Sequence, residues 1–98
     1  MFTAELAMLC GLSCVPHTWN GGVMAAATMQ VLAAMPLTGR ITDDAGPWLE
    51  YDTTENAFLR GALLDPPRLV DGTFVIPDAP GLGVEVDEDF LRAHLVDR

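Results

Sequence analysis

Leu12-Ser13-Cys14-Val15-Pro16-His17-Thr18-Trp19-Asn20-Gly21-Gly22, followed by the apolar run Val23 to Met35, is the stretch that decides how this chain folds. From Leu12 to His17 a period of two puts Ser13, Val15 and His17 on one face and Leu12, Cys14 and Pro16 on the other, the pattern of a strand. His17 falls at its carboxyl end. Asn20, Gly21 and Gly22 supply a turn and a cap, and Val23 to Met35 reads as a helix stopped by Pro36, whose ring cannot continue it. This helix is apolar nearly all round. Its alanines (Ala25, Ala26, Ala27, Ala33, Ala34) suit close approach to a sheet or to other helices, so most of its surface is expected to be covered.

Upstream, Thr3 is placed to cap a short helix over Ala4 to Cys10, which Gly11 would end in the left-handed conformation. Downstream, a polar loop from Thr38 to Gly46 leads to a second strand, Trp48 to Asp52. There Trp48, Glu50 and Asp52 share one face, and Leu49 and Tyr51 the other. The order helix, strand, helix, strand predicts an α/β fold of parallel βα units, whose active groups gather beyond the carboxyl ends of the strands. A further helix is expected over Asn56 to Leu64, broken by Pro66 and Pro67. Arg68 to Val70 and Thr73 to Ile76 flank Asp71-Gly72, a pair suited to the type I′ turn of a hairpin. Pro77 to Gly83 is irregular, and Asp87 caps a last helix to about Val96, with Glu88 and Asp89 at the positive end of its dipole.

Composition narrows the function. Half of the 98 residues are apolar, enough for one modest globular piece. Acidic residues outnumber basic ones 14 to 5, and all the basic ones are scattered arginines, so no nucleic-acid partner is expected. Without lysine the chain has no Schiff-base or ammonium chemistry. Met1 to Val15 lacks the basic start of a signal peptide and Glu5 interrupts it, so secretion is not expected. The longest apolar run, Gly21 to Leu37, is shorter than the roughly 20 residues that span a bilayer. Cys10 and Cys14 straddle Gly11, where a disulfide is disfavoured, and read as reduced, packed thiols of a cytoplasmic protein.

Two residues stand out as carriers of chemistry. His17, at a strand end before a turn, fits a structural imidazole or one facing a cleft. Glu50 lies among Trp48, Leu49 and Tyr51, and a buried carboxylate needs a reason. One reason is an ion pair with an arginine; the other is a pKa raised by apolar surroundings, which lets the acid donate a hydrogen bond to a developing oxyanion. His94 is expected to face solvent, and Trp19 to be packed or to support a lid rather than to touch a substrate. Asp43 with Asp44, and Asp87-Glu88-Asp89, read as a solvated loop and a helix start, not as metal sites. Gly81-Leu82-Gly83 does not open a helix after a strand, so no phosphate loop is present.

Three motifs then come together: Val15-Pro16-His17-Thr18-Trp19-Asn20-Gly21-Gly22 before an alanine-rich helix; Trp48-Leu49-Glu50-Tyr51-Asp52; and Asp71-Gly72 followed by Val75-Ile76-Pro77-Asp78 and Pro80-Gly81-Leu82-Gly83-Val84. In this order they resemble the C-terminal part of the mandelate racemase and muconate lactonizing enzyme family of the enolase superfamily, mandelate racemase-like subgroup. The resemblance implies the C-terminal fragment of a (β/α)-barrel: residues 1–64 as the last two βα units, residues 65–98 as a closing segment of hairpin, Pro/Gly loop and helix. It implies that His17 moves the proton α to a substrate carboxylate and that Glu50 hydrogen-bonds the enediolate, as in acid-sugar dehydratases or racemases. In that family Mg2+ is held by three carboxylates on earlier strands, with a lysine-bearing strand opposite the histidine and an aspartate orienting it. None of these matches a residue here, so no metal or cofactor is expected to bind this chain alone, and the chain alone is expected to be inactive. The implied partners are a small acid-sugar-like carboxylate and the rest of the barrel, or a second copy. A different reading is a non-catalytic subunit that completes a split barrel, or a truncated remnant.

Overall fold

The computed structural model describes residues 1–35 and 47–96. Within them lie α1 (Phe2–Leu9), α2 (Gly22–Ala34), α3 (Ala57–Gly61), β1 (Leu69–Val70), β2 (Thr73–Phe74) and α4 (Glu88–Ala93). The loop expected from Thr38 to Gly46, with Asp43 and Asp44, lies outside the described residues.

α1 starts one residue ahead of the expected cap: Met1 occupies the N-cap with no side-chain bond, so Thr3 lies inside the helix. Its end follows the glycine. Gly11 adopts φ 69°, its N–H donates to Met8 O at 2.9 Å, and the Leu12 N–H donates to Ala7 O at 2.8 Å. These paired bonds satisfy carbonyls that a helix end leaves open. Only Ala4 of α1 is buried.

α2 holds the core. Ala25, Ala26, Met29 and Leu32 are buried together with Leu59, Ala62 and Leu63 from α3 and the residues after it. Gly22 makes the approach close: a Cβ there would meet Leu59 O at 2.9 Å and the Leu63 side chain at 3.0 Å. Met35, with ψ 140°, leaves the helix extended, as a residue before proline prefers. The cover is one-sided, however. Val23, Met24 and Val31 remain 39 to 47% exposed, so the expectation of a helix covered on most of its surface is corrected to a helix with one packed and one bare apolar face.

Neither Leu12–His17 nor Trp48–Asp52 forms a ladder; among the described residues the ladder is β1–β2, antiparallel, with Leu69 opposite Phe74 and Val70 opposite Thr73. Parallel pairing is weaker per residue than antiparallel, and a sheet of two strands is marginal, so side chains rather than backbone bonds bring these two segments together. The period of two survives in burial only in part, since Leu12, expected on the inward face with Cys14 and Pro16, is 64% exposed. Cys14, Pro16 and Thr18 turn inward while Ser13, Val15 and His17 are exposed, and Leu49 is more enclosed than Trp48 and Glu50.

α3 begins at Ala57, one residue after the expected start, with Asn56 as its cap through Oδ1 accepting the Leu59 N–H at 3.1 Å, and ends at Gly61 rather than Leu64. The cause is a competing partner. Leu63 bridges Val86, and the Leu64 N–H donates to Glu85 O at 3.0 Å. In the hairpin turn Asp71 and Gly72 take φ 49° and 76°, the positive angles a type I′ turn requires. The stretch from Pro77 to Leu82 is tied back to α2 by Gln30, whose Nε2 donates to Pro77 O at 2.8 Å and Leu82 O at 3.3 Å. Asp87 caps α4 by accepting the Phe90 N–H at 2.8 Å, and Arg92 pairs with Glu88 and Asp89 across the first turn. α4 stops at Ala93, short of Val96.

Candidate active site

His17 follows the proline that ends its segment, and Glu50 lies two residues before the turn that opens at Asp52. The two side chains meet: His17 Nδ1 lies 2.8 Å from Glu50 Oε2, across 33 residues of sequence. An ionised carboxylate can only accept, so in the neutral ring the proton of this bond sits on Nδ1 and Nε2 keeps its lone pair. The arrangement can orient an imidazole and leave its far nitrogen open to a proton. Both groups are well exposed, 72% and 53% at the side chain. The apolar enclosure expected for Glu50 is thus corrected: Leu49 and Tyr51 turn to the other face of the segment and leave the carboxylate in solvent. Its partner is His17 rather than an arginine.

Around the pair lies an open pocket of about 360 Å³ lined by His17, Thr18, Trp19, Glu50, Tyr51, Asp52, Thr53 and Thr54. Trp19 is 68% exposed and forms part of this wall instead of packing inside. Thr18 anchors the floor. It is buried, and its hydroxyl donates to Thr28 Oγ1 at 3.0 Å, while Thr28 donates to Met24 O at 2.9 Å. The residue after His17 is thereby pinned to α2.

The rim beyond Glu50 is organised by Asp52, which the sequence reading left without a role. Its Oδ1 accepts the Thr54 hydroxyl at 2.6 Å and the Thr54 N–H at 2.8 Å, and its Oδ2 accepts Asn56 Nδ2 at 3.1 Å. The Thr54 side-chain bond, then the Thr54 backbone bond and the Asn56 bond, hold this carboxyl below its ordinary value; Arg60 adds a smaller attraction. The Asp-x-Thr spacing of Asp52 and Thr54 is the local signal that could have announced the turn. His94, expected to face solvent, is exposed but stacks on Phe90 at 4.1 Å between centroids and meets Phe58 edge-on at 5.4 Å, far in sequence from the pocket.

The fit to a metal can be judged from the donors present. Among the described residues no three His, Cys, Asp or Glu side chains converge on a common point. At the pocket itself, Nδ1 of His17 is engaged by Glu50, and both oxygens of Asp52 are committed to Thr54 and Asn56. These residues do not fit Mg2+, and no chemical step is derived through it. Likewise, among the described residues no helix is long and apolar enough to cross a membrane. Cys10 and Cys14 are free thiols, Cys10 exposed rather than packed.

The family model described as "Enolase C-terminal domain-like" matches residues 1–90. The chain is also similar to the D-galactarolactone cycloisomerase of Agrobacterium fabrum (strain C58), 42% identical over 88 residues that make up 90% of this chain and 23% of that protein. The chain therefore spans about a quarter of the length of the curated relative it matches. With residues 1–90 covered by one family model, this chain belongs to the enolase C-terminal domain-like family.

Proposed function

We propose that this chain contributes the proton-transfer side of an isomerase or lyase site that acts α to the carboxylate of a small acid-sugar-like substrate, as part of a completed barrel. The observation that carries the reading is the 2.8 Å bond between His17 Nδ1 and Glu50 Oε2 on the wall of one open pocket. In this reading His17 Nε2 takes or returns the α-proton, because Glu50 fixes the tautomer and orientation of the ring. In the same reading Glu50 steadies the imidazolium by charge or, once protonated, donates to the developing oxyanion.

An enediolate needs strong electrostatic stabilisation, which the family supplies with Mg2+; in the completed enzyme the carboxylates that would hold this ion belong to the rest of the barrel. The name of the Agrobacterium relative, a galactarolactone cycloisomerase, supports an isomerase on sugar-acid lactones, and acid-sugar dehydration or racemisation starts from the same proton abstraction. We further read residues 1–64 as the last two βα units and 65–98 as the closing segment, in a cytoplasmic enzyme, a location favoured by the free thiols. The chain alone is inactive in this account. Magnesium-dependent turnover of galactarolactone by the purified chain would contradict it, whereas turnover only after mixing with the Agrobacterium enzyme deprived of its matching segment would support it.

A second reading, a non-catalytic subunit that completes a split barrel, is favoured by the bare face of α2, where Val23, Met24 and Val31 lie exposed. It differs in outcome. A subunit of that kind would restore activity to its partner equally well with His17 replaced.

A further inference from the structure

Three backbone regions converge on one amide. Asn56 Nδ2 donates to Asn20 O at 3.2 Å and to Asp52 Oδ2 at 3.1 Å, while Asn56 Oδ1 accepts the Leu59 N–H at 3.1 Å. Asn20 lies three residues beyond His17, and Asp52 two beyond Glu50. The two segments share no ladder, so backbone pairing does not hold them in register. Asn56 joins them instead. Its carbonyl is fixed by the N-terminus of α3, whose Leu59 is buried in the core, so the amide presents its two donors from an anchored site. The division of labour is chemically strict: the oxygen caps the helix, and only the nitrogen can satisfy two acceptors at once.

We propose that Asn56 is a positioning residue of the active site, one that sets the spacing of His17 and Glu50 by clamping the turn after the first to the turn after the second. This rests on the reading of His17 and Glu50 as the working pair, but its test reads the geometry and not the turnover. Aspartate at position 56 keeps an oxygen to cap α3, and caps helices as well as asparagine does. It places a carboxylate oxygen against Asn20 O and Asp52 Oδ2, where the nitrogen had been, so the cap survives and the clamp does not.

The experiment is side-chain nitrogen NMR of His17 in the full 98-residue chain, with and without Glu50→Gln, in parent, Asn56→Asp and Asp52→Ala backgrounds. In the parent, Glu50→Gln shifts the His17 ring signals, because the ring loses its charged acceptor. With Asn56→Asp that shift is expected to be lost while the Leu59 amide stays protected. Asp52→Ala removes one arm of the clamp without touching the cap, and the shift is expected to shrink. An undiminished shift in Asn56→Asp would overturn the proposal. So would a shift lost in Asn56→Asp but unchanged in Asp52→Ala, since the connection from Asn56 to the turn after Glu50 would then play no part in setting the pair. If Glu50→Gln has no effect in the parent, the pair itself is absent and the underlying reading fails first.

Discussion

The Thr18 hydroxyl donates to the Thr28 hydroxyl at 3.0 Å in a site where both residues are almost wholly buried, 3% and 6% exposed. Thr28 passes its own proton to Met24 O within α2. Proton supply runs in one direction, so the two positions are not equivalent. Thr18→Val deprives Thr28 of a donor but leaves its bond to Met24 O intact; Thr28→Val leaves the Thr18 hydroxyl buried with no acceptor. The expected losses are about 1 kcal/mol for the first and about 1–3 kcal/mol for the second. The double variant should cost less than the sum, because no polar group is then stranded. Chemical denaturation of the four proteins measures this.

A second expectation concerns acid. The Asp52 carboxyl is held below 3.8, its reference value, by the bonds from Thr54 and Asn56. A depressed folded-state pKa means stability that is present above the unfolded value and lost as pH falls through the folded one. The turn from Asp52 to Asn56 should therefore be intact at neutral pH and open only below about pH 3.8. Following the Thr54 amide shift against pH tests it, and Asp52→Asn should remove the transition.

The contact between α3 and α4 is tight at one point. A Cβ on Gly61 would meet the Phe90 ring at 2.4 Å, and Phe90 packs edge-on against Phe58 at 5.6 Å. Gly61→Ala must push this ring aside, together with the His94 stacked on it. Overpacking of this kind costs about 1–3 kcal/mol. Thermal unfolding should show the loss, and Gly61→Ala with Phe90→Leu should recover part of it by making room.

Local chemistry was readable wherever a residue's own backbone decided the outcome. Gly11 and Asp71-Gly72 adopt positive φ, Asp87 caps a helix through its side chain, and the period of two before His17 survives in part as alternating exposure. What escaped depends on partners far along the chain. The end of α3 is decided by Glu85 and Val86, which take Leu63 and Leu64 away from the helix. Thr3 was passed over because α1 starts at Phe2. The exposure of Glu50 follows from which face of its segment meets the rest of the molecule, and apolar neighbours in sequence do not reveal that. His17 and Glu50 were legible as candidates, but their direct bond, and the Asn20–Asp52–Asn56 connections beside it, were not, since no pattern spans the intervening residues.

The His17–Glu50 pair is exposed on both sides, and even as a fully charged pair such an exposed contact would contribute only about 0–1 kcal/mol. Replacing either member should thus leave stability nearly unchanged, which makes a clean test of function available. The decisive measurement is exchange of the substrate α-proton with solvent deuterium, catalysed by this chain mixed with the Agrobacterium cycloisomerase deprived of its matching segment. The parent chain is expected to restore exchange, and His17→Asn, equally folded, to leave it at the level of the unmixed partner. Restoration by His17→Asn as full as by the parent would contradict the account.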